Sequence, residues 1–248
     1  MNALSPLAAF YKGNQEHASA RLAALHDKRN YSMDGLDLLQ AIPSGSIPYV
    51  IFDPQYDHLL QFMKYGNTDG NGRQKGRRAL PPQSAMDLWR FGQQIVRILK
   101  PSGHVSLWMD TYILCETDPL EIFTDDAGHT DMHRVDLITW DKVRMGMGAR
   151  SRHQAEFLMT FQKSPKRAKG CWNSHSIRDV WQEAVTKTHP HSKPVGLQAA
   201  LIEALTKPGD VVVDPTAGGF STMTAAHQVG RRFLGCEYLA ENDPALQP

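Results

Sequence analysis

The apolar run Val211-Val212-Val213 ends in Asp214-Pro215-Thr216-Ala217-Gly218-Gly219-Phe220, and this stretch limits the possible folds more than any other in the chain. A short apolar run of β-branched residues reads as a buried strand, and paired glycines after it read as a tight turn. The residues from Ser221 open a helix, and Phe233-Leu234-Gly235-Cys236, closed by Glu237, form a second apolar run. A strand, a glycine turn, a helix and a strand ending in a carboxylate make a unit that binds a nucleoside. The glycines let the backbone approach the ligand, and the carboxylate accepts bonds from ribose hydroxyls.

The remainder of the chain alternates in the same way. Residues 3 to 26 are rich in alanine and leucine and are expected to be helical. Tyr31 to Asp34 reads as a short strand, and Gly35 to Pro43 as a helical turn stopped by proline. Tyr49 to Phe52 reads as a buried strand. Met86, Leu88, Trp89, Ile95, Val96 and Leu99 space out an amphipathic helix over Ser84 to Leu99, which Lys100-Pro101-Ser102-Gly103 should terminate. Strands are expected at His104 to Met109, Val135 to Trp140 and Glu156 to Gln162, with a short helix over Asp118 to Asp126. Gly196 to Lys207 carries Leu197, Ala200, Leu201, Ala204 and Leu205 on one face of a strong helix. This alternation predicts an α/β fold with a doubly wound sheet.

Upstream of the glycine turn, Val50-Ile51-Phe52 runs into Asp53-Pro54-Gln55-Tyr56, and between the two lies His189-Pro190-His191-Ser192-Lys193-Pro194. Together these elements resemble the DNA adenine-N6 and cytosine-N4 methyltransferase family over roughly residues 30 to 240. The tetrapeptide precedes the cofactor loop, the circularly permuted order of the β-type members, which surface connections tolerate. The resemblance implies a Rossmann-like methyltransferase fold over residues 1–248 as one domain, its sheet mostly parallel with an antiparallel strand.

It also implies roles. Exocyclic amines are poor nucleophiles because the nitrogen lone pair is delocalised into the base. Asp53 and the Pro54 carbonyl would accept the two amine hydrogens and localise that lone pair, with Asp53 offsetting the developing positive charge. Tyr56 would stack on the target base once it leaves the helix. Gln55 stands where the family usually has a second proline, a position that contributes rigidity more than chemistry, so activity is expected to survive. The cofactor S-adenosylmethionine would be held by Asp34, Asp53, Lys193, Asp214, Thr216, Ala217, Gly218, Gly219, Phe220, Ser221, Thr222, Glu237 and Tyr238. In that set, Asp34 would lie near the adenine ring, Glu237 at the ribose, and Ser221 or Thr222 at the methionine carboxylate while capping the helix. Phe220 occupies a position often held by glycine. His189 and His191 have a two-residue spacing without a third ligand, so no metal site is expected.

Composition fits such a chain. At 248 residues, 41% hydrophobic and 21% charged, it is long enough for one α/β domain with its own core. Cys115, Cys171 and Cys236 are odd in number and widely spaced, which argues against a disulfide framework and for a reducing cytoplasm. No signal peptide or membrane span is expected. Net charge is only +1, but it is unevenly placed. Residues 61 to 80 hold Lys64, Arg73, Lys75, Arg77 and Arg78 against Asp69. Residues 141 to 170 hold eight basic residues against Asp141 and Glu156, which leaves the rest of the chain at −9. Loops at 61–82 and 142–175 are therefore expected to meet a DNA backbone through those first five residues and Lys142, Arg144, Arg150 and Arg152. The expected partner is double-stranded DNA and the product N6-methyladenine, bound by a monomer or homodimer. Cytosine N4 is the alternative, and a catalytically degenerate DNA-binding relative is a third.

Overall fold

The computed structural model describes residues 26–29, 33–55, 83–146, 151–185 and 192–237. The elements run α1 (Gly35–Ala41), β1 (Ile47–Phe52), α2 (Ala85–Ile98), β2 (Leu99–Met109), α3 (Thr111–Glu116) and a 3-10 turn (Pro119–Phe123). They continue as β3 (Met132–Asp141), β4 (Ala155–Lys163), β5 (Val180–Gln182), α4 (Val195–Leu205), β6 (Val211–Asp214), α5 (Ser221–Gln228) and β7 (Arg232–Gly235). The strands form one sheet in the order β5-β3-β4-β2-β1-β6-β7. Only β4 runs against its neighbours, paired antiparallel to both β2 and β3.

Alternation along β1 explains why both faces are covered. Val50 and Phe52 point to one face, where Leu38 and Leu39 of α1 and Phe91 and Ile95 of α2 bury them. Tyr49 and Ile51 point to the other, under Leu197, Leu201 and Ile202 of α4 and Ala225 of α5. A strand with a side-chain period of two and apolar residues at every position has to be buried on both sides. α2 begins at Ser84, whose Oγ accepts from the Asp87 N–H at 3.2 Å while the Asp87 carboxylate accepts from the Ser84 N–H at 3.0 Å. Such a capping box contributes about 1 kcal/mol.

Strand β1 lies at the point where the winding reverses. Helices α1 and α2 pack on one face, α4 and α5 on the other, and β1 and β6 are adjacent parallel strands with Tyr49 opposite Val212 and Val50 opposite Val213. Ligands bind outside the carboxyl ends of strands at such a switch point, and here the residues at those ends are Asp53 and Asp214.

Several sequence expectations are corrected. Of the strand expected at Tyr31 to Asp34 only Met33 and Asp34 are described, and Asp34 is the N-cap of α1. Lys100-Pro101-Ser102-Gly103 is not a terminating loop, because β2 begins at Leu99 directly after α2. The proline and glycine are absorbed in an irregularity where the partners of Ile47 and Tyr49 jump from Leu99 to His104 and Ser102 takes φ 60°. Proline cannot donate to a ladder, so a bulge is where a strand tolerates it. The segment 142–175 is not one loop, since β4 occupies the middle of it with Leu158 and Phe161 fully buried. Strand β5 and helix α3 were not expected at all. The helix expected over residues 3 to 26, save for its last residue, and the loop 61–82 lie outside the described residues. Among the described residues no helix is long and apolar enough to cross a membrane.

Candidate active site

Asp53 follows directly on β1, so a buried strand delivers its carboxylate to the carboxyl end of the sheet. Its backbone N–H donates to Thr216 Oγ1 at 3.1 Å, which ties the tetrapeptide to the glycine loop. Pro54 is buried, and the Gln55 carbonyl accepts from the Gln83 N–H at 2.9 Å, holding the residue before α2's cap beside the tetrapeptide. Tyr56 lies outside the described residues.

Asp53 faces Lys193, whose Nζ is 3.1 Å from Oδ1. The same ammonium is 2.9 Å from Glu156 Oε2 and lies 5.0 Å from the centroid of the Trp108 ring. Glu156 uses its other oxygen, Oε1, to pair with Lys142 Nζ at 3.1 Å. Four charges of alternating sign thus run from the cleft to the base of the β3-β4 hairpin. Burial raises the Asp53 carboxyl above its ordinary range and Glu156 adds to the rise, while Lys193 pulls it back. Burial also works to raise Glu156, but Lys193 and Lys142 outweigh it and hold that carboxyl at about 2. Lys193, which burial alone would discharge, is held above the ordinary lysine value by Asp53 and Glu156.

The glycine loop forms the facing wall. Asp214 accepts from the Thr216 N–H at 3.1 Å, and its Oδ2 lies 2.6 Å from Thr222 Oγ1. Burial pushes the Asp214 carboxyl up to about 7. Thr222 Oγ1 is also 2.8 Å from Gln198 Oε1, while Gln198 Nε2 donates to Ser221 Oγ at 3.1 Å. A single hydroxyl proton cannot serve two acceptors. Thr222 donates to the Asp214 carboxylate, and the Gln198 amide turned with its nitrogen toward Thr222 and its oxygen toward Ser221 satisfies the remaining contacts. Thr222 is therefore turned into the core and does not cap α5 with its side chain, contrary to expectation. Ser221 does not cap it either.

Glu237 Oε2 accepts from the Gly218 N–H at 2.7 Å, and burial lifts this carboxyl too, to about 7. Ala217 donates its N–H to the Cys236 carbonyl at 2.9 Å, so both arms of the loop are stitched to the end of β7. Phe220 adopts the left-handed φ of 59° that suits glycine. Its ring is fully buried and packs edge-on against Phe233 with centroids 6.0 Å apart. It is core rather than cleft wall. Asp34 caps α1 through its Oδ1 on the Leu36 N–H at 2.7 Å. The adjacent Gly35 abuts the loop so closely that a Cβ there would sit 2.3 Å from the Pro215 carbonyl oxygen. Tyr238 lies outside the described residues.

One cleft accordingly gathers Asp53, Lys193, Asp214, Thr216, Ala217, Gly218, Gly219, Ser221 and Thr222, floored by Ile51 and Trp108. The basic residues divide. Arg144 and Arg152 are exposed on the β3-β4 connection, whereas Lys142 is engaged by Glu156. Lys64, Arg73, Lys75, Arg77, Arg78 and Arg150 lie outside the described residues, as do His189 and His191.

Sequence reasoning missed Glu156, Trp108, Gln198 and Glu183. The Glu183 carboxylate accepts from the N–H groups of Gly196 at 2.9 Å and Leu197 at 3.1 Å. It caps α4, whose N-cap Pro194 has no side-chain bond to offer. The one available signal was an acidic residue, Glu156, directly ahead of the apolar run Phe157-Leu158-Met159.

The chemistry of the cleft suits a cationic nucleoside. Three carboxylates, Asp53, Asp214 and Glu237, have their ionised forms disfavoured by burial and would gain from a positive ligand. The loop between two of them is glycine backbone. Comparison with known proteins agrees. The family model for DNA methylase, N6_N4_Mtase, matches residues 86–242. Type II methyltransferase M.HhaII of Haemophilus parahaemolyticus is 39% identical over 218 residues, 88% of this chain and 93% of the relative. The structure of the M1.HpyAVI-SAM complex has a TM-score of 0.59 at 18% identity, covering 86% of this chain and 95% of that one. PvuII DNA methyltransferase, cytosine-N4-specific, has a TM-score of 0.60 at 17% identity over 88% of this chain and 90% of its own. At these identities the two structures share the fold.

Proposed function

The chain belongs to the N6/N4 DNA methyltransferase family, whose cofactor is S-adenosylmethionine, and from that premise we propose that it methylates the exocyclic N6 amine of adenine in double-stranded DNA. The observation that carries the reading is the Asp53 carboxylate, presented by a buried strand and pinned to the cofactor loop. Its Oδ1 is paired with Lys193 Nζ at 3.1 Å.

In this reading Asp53 Oδ2 and the Pro54 carbonyl each accept one hydrogen of the flipped-out amine, which directs the nitrogen lone pair into the cleft. S-adenosylmethionine, when bound, supplies a methyl group already activated by a positive sulfur. Glu237 and the Gly218 turn would hold its ribose side, and Asp214 and Asp53 would face its positive charge. As the nitrogen gains the methyl group it would become positive, and the amine hydrogen already bonded to Asp53 would pass to that carboxylate as a proton. Asp53 stabilises that charge in a site with little water. Lys193 favours the ionised form of Asp53 against the burial that opposes it, and orients the carboxylate. The leading aspartate of the tetrapeptide favours adenine, because many cytosine-N4 members place serine there. Exposed Arg144 and Arg152 extend the basic surface along which phosphates would lie.

Mass spectrometry of nucleosides from unmethylated duplex DNA, incubated with the protein and S-adenosylmethionine, tests this. N6-methyladenine is expected. N4-methylcytosine would reassign the base, and no methylated base would overturn the reading.

A further inference from the structure

We propose that Glu156 is a positioning residue for Asp53: it holds Lys193 against one carboxylate oxygen and so leaves the other for the substrate amine. The inference rests on the reading of Asp53 as the acceptor of that amine.

A lysine side chain has four rotatable carbons and a compact charge, so one contact would not fix it. Lys193 has three. Asp53 Oδ1 is 3.1 Å away, Glu156 Oε2 is 2.9 Å away, and the Trp108 ring centroid is 5.0 Å away. The Lys193 side chain is only 16% exposed, so water competes weakly for it. A buried ion pair repays its desolvation only with good geometry and satisfied partners. Glu156 supplies both conditions from another strand.

Glu156 is itself held. It sits opposite Trp140 at the start of β4, and Lys142 occupies its second oxygen at 3.1 Å. Neither oxygen is spare, so the carboxylate has no reason to rotate. Lys193 therefore cannot slide across to chelate both oxygens of Asp53, which would close the site to the amine. Nor can it swing away, which would leave Asp53 buried beside Asp214 and Glu237 without a cation. Lys142 accordingly serves as the outer post of this ladder, not as a free phosphate contact.

The test is Glu156→Gln, nearly identical in shape but uncharged, studied by single-turnover methyl transfer and by 13C NMR titration of the Asp53 carboxyl. The groups facing Asp53 are Lys193, Glu156, Asp214 and Glu237. Removing one negative neighbour lowers the Asp53 midpoint, and Lys193 sliding onto both Asp53 oxygens lowers it further. The Asp53 midpoint and the acid limb of the rate profile should fall by about half a pH unit or more. The rate constant should fall about tenfold, with cofactor KM changed less than about twofold. A rate and an Asp53 midpoint both equal to wild type would overturn the proposal, as would a rate loss that merely tracks lost folded protein. Should the Gln variant not fold, Glu156→Asp keeps the charge but shortens the reach. It should retain the wild-type acid limb yet lose rate, and a wild-type rate would overturn the proposal. If the wild-type protein transfers no methyl group, the proposed function fails, and the carboxyl titration still decides whether Glu156 controls Asp53.

Discussion

The backbone N–H of Asp53 donates to the side-chain oxygen of Thr216 at 3.1 Å, across 163 residues of chain. Catalytic tetrapeptide and cofactor loop are thus joined by a direct bond, and neither can shift without the other. Thr216→Val keeps the shape and removes the acceptor. It should cost about 1–2 kcal/mol in urea unfolding and slow single-turnover transfer about tenfold. A variant with unchanged rate would mean that the bond does not register the two halves.

Phe220 presents an inverted expectation for truncation. Phe220→Ala removes the ring packed on Phe233 but keeps a side chain at φ 59°, whereas Phe220→Gly also relieves the left-handed backbone. Loss of a buried phenyl ring costs about 3–5 kcal/mol. The glycine variant should be the more stable of the two by about 1 kcal/mol in denaturant unfolding. The reverse order would show that the backbone at 220 is not under strain.

Stability of the free protein should depend on pH in a direction set by the cleft. Asp214 and Glu237 have folded values raised to about 7 from ordinary carboxylate values, so their contribution is full below about pH 4 and is lost as pH rises to 7. Glu156, held at about 2, acts oppositely, losing its contribution as pH falls from about 4.5 toward 2. Urea midpoints of the free protein should therefore be lower at pH 7.5 than at pH 5, and Asp214→Asn should reduce the difference. A midpoint that climbs between pH 5 and 7.5 would contradict the assignment of buried, protonated carboxylates.

The cap on α4 can be probed from either side. Gly196→Ala would place a Cβ 2.6 Å from Glu183 Oε2, and Glu183→Ala would leave two helix N–H groups without their acceptor. Each should destabilise by about 1–2 kcal/mol. Because α4 begins beside Lys193-Pro194, each should also weaken cofactor binding measured by calorimetry. Loss of stability with wild-type affinity would show that the cap serves the helix alone.

Much of this was legible in the sequence because it depended on local signals. The strands β1 and β6 are apolar runs ending in Asp-Pro, α2 carries its cap and its apolar stripe, and the glycine turn is contiguous. The charge ladder was not legible. Lys193 and Glu156 are 37 residues apart and meet only because β4 runs antiparallel beside β2. Strand β5 has three residues and no apolar pattern, yet it leads into Glu183, which caps a distant helix. Thr222 looked like a capping residue because hydroxyls usually serve there. A buried Asp214 needing a partner drew it inward instead.

Asp53 acts chiefly on the amine, and the most direct measurement is Asp53→Ala assayed in two ways. Calorimetry with S-adenosylmethionine should give an affinity within a few-fold of wild type, while methyl transfer to adenine in duplex DNA should fall below detection. Retained turnover by this variant would contradict the account.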